Sequence, residues 1–171
     1  MTTWDASSAE CLVYTYKEGL LSRVAHDLRL RATRFTLRHE GDVVELRVDP
    51  ASLTYDAVMH DGAPAREGLS ASDARKVEAT LRDEVLHTAK HPEVVFRAPG
   101  VRVGEGDVAL TGELSLHGVT RPLKATARVR GSHWEAEVTV QQPDHGIAPY
   151  RAMMGALKVR PEVKVVVRAP R

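Results

Sequence analysis

Cysteine is nearly missing from this chain: Cys11 is the only one among 171 residues. A lone thiol excludes an intramolecular disulfide, and it excludes structural zinc sites built on two or more thiolates of one chain. An excess of one charge is missing too. Lys and Arg number 24 against 23 Asp and Glu, a formal net charge of +1. Nucleic-acid binders carry a strong basic surplus to neutralise phosphates, so nucleic acid is not an expected partner. Long apolar runs are absent as well. No segment approaches the ~18 uncharged residues of a spanning helix. The stretch from Met1 to Glu10 has neither the basic start nor the apolar centre of a secretory signal. The expectation is a cytoplasmic protein with no membrane span. There is no G-x-S-x-G nucleophile motif, and Gly104-Glu105-Gly106 is not followed by the helix that a phosphate loop requires. No cofactor and no metal centre is expected.

What is present is alternation. Hydrophobic residues make up 43% and charged residues 27%, a folded composition whose length suits one domain over residues 1–171, with 1–9 as a flexible lead-in. Glu10 to Lys17 is the first candidate strand. From Val24 the apolar phase runs through His26, Leu28, Leu30 and Ala32, with Arg29 and Arg31 between them. Near Thr33 the phase flips to Phe35 and Leu37, the mark of a bulge or sharp bend where a sheet curls. Val44, Leu46 and Val48 form the next strand, which ends at Pro50. Residues 52–68 mix Asp, Gly and Pro and read as a loop with a short ordered piece at Leu53–Val58.

One helix is expected over about residues 71–87, capped by Ser70 or Ser72, with Asp73 in its first turn. Ala74, Val77, Leu81 and Val85 fall on one stripe, so the helix lies on something apolar. Pro92 ends it by disfavouring the helical conformation at His91. The remainder is strand: Glu93–Arg97, possible pairing at Val101–Val103, then Val108 to Leu116. After a turn across His117 to Pro122 come Leu123 to Val129 and Trp134 to Val140. A loop runs from Gln142 to Leu157, and the chain closes with Val163, Val165 and Val167. About eight strands at hairpin spacing with one amphipathic α-helix spell an all-β, antiparallel, lipocalin-like β-barrel. A barrel of that size can hold one small ligand.

These segments resemble the YceI-like family of polyisoprenoid-binding, lipocalin-like barrels. The resemblance rests on Leu110-Thr-Gly-Glu-Leu-Ser-Leu-His-Gly-Val-Thr-Arg-Pro-Leu123, which is similar to the family's G-x-L-t-l-x-G-V-T-r-P-v hairpin. It rests also on Ala89-Lys-His-Pro-Glu-Val-Val-Phe96, and on Met154-Gly-Ala-Leu-Lys-Val159 before a valine-rich last strand. The ordered set covers roughly Ser22 to Ala169. Family membership implies a non-enzymatic protein that binds, transports or stores an amphiphilic long-chain lipid, an isoprenoid or isoprenoid quinone.

The expected partner is thus a hydrophobic small molecule with an isoprenoid or fatty chain, and a homodimer is open. The residues expected to line the ligand site are Val24, His26, Leu28, Leu30, Phe96, Leu114, Leu116, Trp134, Tyr150, Met153 and Met154. His26, alone among apolar neighbours, either orients a polar head group or is a core histidine satisfied by its surroundings. A catalytic pairing with Asp27 is disfavoured, since strand neighbours face opposite sides. The methionines either contact an aliphatic chain at the barrel mouth or plug one end. His87 and His91 have the H-x-x-x-H spacing that can bind zinc on a helix, but Pro92 draws His91 out of it, and no metal site is assigned. Two alternatives stand beside the carrier: an enzyme using a pocket histidine as acid or base, and a ligand-free, stress-associated interaction module.

Overall fold

The structure is a computed structural model that describes residues 1–19 and 26–171. Its strands are β1 (Thr2–Asp5), β2 (Glu10–Thr15), β3 (Lys17–Glu18), β4 (Asp27–Ala32), β5 (Phe35–Glu40), β6 (Val43–Val48), β7 (Leu53–His60) and β8 (Ala63–Pro64). Helix α1 (Ala71–Thr80) follows. Then come β9 (Val94–Ala98), β10 (Val108–Leu116), β11 (Val119–Arg130), β12 (His133–Gln141), β13 (Arg151–Ala152), β14 (Leu157–Val159) and β15 (Glu162–Pro170). Twelve segments form one antiparallel sheet in the order β1-β5-β6-β9-β10-β11-β12-β15-β2-β4-β7-β8, and β13-β14-β3 form a second, small one. The sheet curls into the lipocalin-like wall expected from the alternation.

The segment count exceeds the expected eight because two long strands are folded at a corner, as β4–β5 and β6–β7, and because the short β1, β3, β8, β13 and β14 add to the eight long ones. Residues 27–40 pair with residues 43–60 as one hairpin, from Glu40↔Val43 to Asp27↔Met59. At Thr33–Arg34 the chain bends, as the phase flip implies. Buried Ser52 pins the bend: its carbonyl accepts from the Thr33 N–H (3.2 Å), its Oγ accepts from the Arg34 N–H (3.0 Å), and its hydroxyl donates to the Asp49 carbonyl (2.7 Å). Beyond the bend the two halves diverge. The β5–β6 half joins β9 at one end of the sheet, and the β4–β7 half joins β2 at the other. One bent hairpin therefore holds both ends of the wall.

Several expectations are corrected. Within residues 1–9, expected to be flexible, Thr2–Asp5 form β1 and pair with β5, and the Asp5 carboxylate accepts from the N–H and hydroxyl of Ser7 (2.8 and 2.6 Å). About half of the supposed loop over residues 52–68 is the eight-residue strand β7, which contains the ordered piece expected at Leu53–Val58 and runs on to His60. Its register against β4 slips between Arg29 and Leu30, leaving Asp56 as the extra residue. That carboxylate takes both Arg29 and Arg31 on the outer face, so the bulge is filled by an ion pair. The turn expected over 117–122 is only two residues, His117-Gly118, both at positive φ (53° and 76°). This is the I′ geometry that matches the twist of a tight hairpin, and Val119 to Pro122 belong to β11. Val101–Val103 is not a strand, although the Val101 N–H donates to the Asp42 carbonyl (2.7 Å).

Ser70 caps α1 by accepting from the Asp73 N–H (3.1 Å). The helix continues through a wider π turn over Leu81–Val85, where the Leu86 N–H donates to the Leu81 carbonyl. It stops two residues short of expectation because His87 turns to φ 46°. No helix among the described residues is long and apolar enough to cross a membrane.

Candidate functional site

The inward phases of the wall enclose a chamber of about 510 Å³. This falls within the range of small-molecule sites, roughly 300–1,000 Å³. Period two explains the lining directly: β2 contributes Cys11, Val13 and Thr15, β12 contributes Ala136, Val138 and Val140, and β15 contributes Val163, Val165 and Val167. The helix stripe supplies a roof through Val77, Leu81 and Val85, one residue every four along the axis. Neither Asp nor Glu is among the lining residues described.

Lys76 and Thr80 line the chamber from α1, and a second set of polar groups gathers where the small sheet meets the start of β4. Lys17 lines the chamber, and its backbone N–H donates to the Asp27 carboxylate (2.8 Å). Lys17 stands opposite Val159 in the β3–β14 pair, beside Lys158, another lining residue. His26 lines the chamber and is exposed, so the chamber reaches solvent there. Half-buried Tyr150 adjoins, its carbonyl accepting from the Val159 N–H (2.9 Å). Asp27, holding Lys17, is occupied structurally.

Of the expected site residues, His26, Leu28, Leu30, Phe96, Leu114, Leu116 and Tyr150 all line this chamber. Val24 lies outside the described residues. Trp134 is not a lining residue. It sits two places before Ala136 on β12, packs half-buried on the core around Phe96 and Leu110, and lies under the Arg171 guanidinium, 5.0 Å from the ring centre. Met153 and Met154 are not in the wall either. They form the tip that closes β13 onto β14, both at positive φ, with side chains 66% and 106% exposed. Leu157 and Val159 take the inward places that the methionines were expected to fill.

Sequence reasoning missed, among other lining residues, Lys17, Lys158, Gln142, Leu86 and Ile147. Lys17 had a legible signal, since it continues the phase of Cys11, Val13 and Thr15. Lys158 comes from β14, a strand of three residues that is too short to show a period, and Gln142, Leu86 and Ile147 come from irregular segments. Cys11, expected near a frayed start, is buried in the wall, and burial pushes its thiol pKa up to about 12.

An antiparallel sheet curled around an apolar chamber, roofed by one helix and open beside a small cationic cluster, defines a lipocalin-like barrel. The family model described as "YceI-like domain" matches residues 6–170. The chain belongs to the YceI-like family. Sequence relatives include a UPF0312 protein of Azotobacter vinelandii, 32% identical over an alignment 86 residues long that covers 47% of this chain and 45% of that protein. Protein YceI of Escherichia coli is 38% identical over 48 residues, 28% of this chain and 25% of that protein. The chain thus matches less than half the length of these relatives.

Similar solved structures include Burkholderia cenocepacia BcnA, with a TM-score of 0.66 at 10% identity over 96% of both chains. A polyisoprenoid binding domain from Saccharophagus degradans has a TM-score of 0.59 at 14% identity, covering 99% of this chain and 97% of that one. At these identities the likeness concerns the fold.

Proposed function

We propose that the protein binds an amphiphilic long-chain lipid, an isoprenoid or isoprenoid quinone, within the chamber, and carries or stores it without transforming it. The carrying observation is a chamber of about 510 Å³ whose wall is predominantly aliphatic. Each methylene moved from water into such a wall gains about 0.8 kcal/mol. A chain of about a dozen carbons therefore supports micromolar binding once ordering costs are met. The polyisoprenoid-binding domain of similar fold from Saccharophagus degradans supports the same ligand class. His26 and Lys17, where the chamber reaches solvent, would meet the polar end. The non-enzymatic reading is supported by a described wall with no carboxylate, and by a Cys11 thiol that stays protonated at neutral pH.

Native mass spectrometry of the purified protein, followed by organic extraction, tests this. A co-purifying species of long-chain mass is expected. A clean apo mass, together with no saturable uptake of farnesol, geranylgeraniol or a short-chain ubiquinone, would overturn it. His26→Ala should retain most of the affinity, because the aliphatic wall supplies it.

A further inference from the structure

The tip of the β13–β14 hairpin combines two features that methionine does not favour. Met153 and Met154 are 66% and 106% exposed, and both hold positive φ (52° and 57°). Single exposed apolar side chains are ordinary, whereas an adjacent pair held outward by a strained backbone points to a use for that exposure. The charge around the tip has one sign. Residues 145–161 contain Arg151, Lys158 and Arg160 and neither Asp nor Glu. Arg151 and Lys158 face each other one pair below the end of the hairpin. Glu18 stands across from Lys158, and the Glu162 carboxylate lies 3.9 Å from Arg160. These two acids offset two of the cations and leave the charge of exposed Arg151. The hairpin is also continuous with the chamber. Tyr150, just before β13, and Leu157 and Val159 of β14 line it, as does Lys17, opposite Val159.

We propose that the Met153–Met154 tip docks the protein on an anionic lipid bilayer, the two thioethers entering the acyl boundary while Arg151 and Lys158 meet the headgroups. Apolar area and attraction to anionic lipids together set the strength of such interfacial contacts. Two side chains on a convex tip offer far less than the ~800 Å² per side of a stable protein interface. A bilayer needs no complementary hollow, because its lipids part around a protrusion, and unbranched methionine adapts to a fluid surrounding. Docking would hold the small sheet, and with it the polar end of the chamber, at the membrane surface, where a long-chain lipid could pass between the two. That role in loading rests on the reading of the chamber as a lipid carrier; the docking itself does not.

The test is co-sedimentation of the full chain with vesicles of phosphatidylcholine, alone and mixed with phosphatidylglycerol. Saturable binding to the anionic vesicles is expected. It should weaken as salt rises from about 0.1 to 1 M and the screening length falls from about 10 to 3 Å. The double substitution Met153→Asn, Met154→Asn should lower the apparent affinity at least about tenfold. Asparagine suits positive φ, so this variant keeps its fold, which thermal unfolding checks. Arg151→Gln should cost up to about fivefold. Val103→Asn, which removes another exposed apolar side chain, should bind as the unaltered protein does. No binding to anionic vesicles would overturn the proposal, as would binding that survives the double substitution. So would concentration-dependent dimerisation that the same substitutions abolish, since a second copy would then cover the tip. Farnesol uptake from solution should be equal in the double variant and the unaltered protein. Uptake absent from both counts against the chamber reading alone; uptake lost only in the variant would make the tip part of the ligand site and overturn its assignment to the bilayer.

Discussion

Replacing Ala136 with leucine should shorten the longest chain the chamber accepts by about three carbons. Ala136 faces inward from the middle of β12 and lines the chamber. At roughly 30 Å³ for a water-sized group, 510 Å³ holds about seventeen methylene-sized groups. Affinity for straight-chain primary alcohols should therefore climb with each carbon, by up to about fourfold at ~0.8 kcal/mol per methylene, and level off near that length. Ordering costs lower the slope but not the position of the break. Leucine fills three carbons' worth of the space, so the break should move to about fourteen. For a seventeen-carbon chain the three displaced carbons cost up to about 2.4 kcal/mol, about fiftyfold in Kd. Displacement of a fluorescent fatty probe across the alcohol series measures both curves. Thermal unfolding supplies the control. In a filled core the extra carbons would cost about 1–3 kcal/mol, whereas in an open chamber they should leave the Tm level or raise it. Breaks that coincide in the two proteins, or affinity indifferent to chain length, would refute the reasoning. A marked drop in Tm would show that the space is not open.

Three further outcomes follow from the geometry. Ser52→Ala removes the hydroxyl that pins the bend of the long hairpin, leaving the Arg34 N–H without its acceptor; chemical denaturation should show a loss of about 1–3 kcal/mol. Cys11, with a thiol pKa of about 12, should resist alkylation in the native state and react once urea unfolds the chain. At about pH 8 its thiolate fraction is lower than that of an ordinary cysteine by roughly three orders of magnitude. Prompt native labelling would contradict its place in the wall. The hydrogen bond from Arg31, with charge attraction from Arg31 and Arg168, holds the Glu10 carboxyl below the usual glutamate range against an opposing effect of burial. Its contribution is complete above the unfolded pKa of about 4.3 and disappears as pH falls through the lower folded value. Tm against pH should accordingly drop on acidification less steeply in Glu10→Gln than in the unaltered protein, and parallel curves would remove Glu10 from the account.

The wall was legible because a strand with one buried face writes its register into the sequence. Val163, Val165 and Val167 and the partners Val138 and Val140 could be assigned without coordinates, and the bend at Thr33 announced itself as a change of phase. Strand β7 was hidden by its bulge: with Asp56 inserted, the alternation breaks where it would have identified the strand. The methionine tip misled for a different reason. Apolar residues in a glycine-bounded loop look like lining, but the positive φ of Met153 and Met154 sets them at a hairpin tip, and no periodicity encodes that. The rings of His87 and His91 both lie against that of His117, with centres 5.6 and 4.3 Å from it, and this cluster was half visible. His87 and His91 stood out by spacing, yet Pro92, which argued against a helical pair, is compatible with His91 reaching His117 at a distant turn. Only the pairing of β10 with β11 brings that third ring to them.

The hairpin that belongs to both ends of the sheet bears on how the molecule can change girth. A cylinder closed by a row of hydrogen bonds parts along that row when strained, and its rungs must break together. Here residues 27–40 and 43–60 cross from one margin of the sheet to the other, broken only at the bends over 33–34 and 49–52, so widening requires only that two short bends straighten. Strands β9 to β15 and β2 can keep their registers meanwhile, as a belt keeps its shape while the buckle takes up slack. Any change of girth is thereby concentrated at one hinge, with Ser52 as its pin.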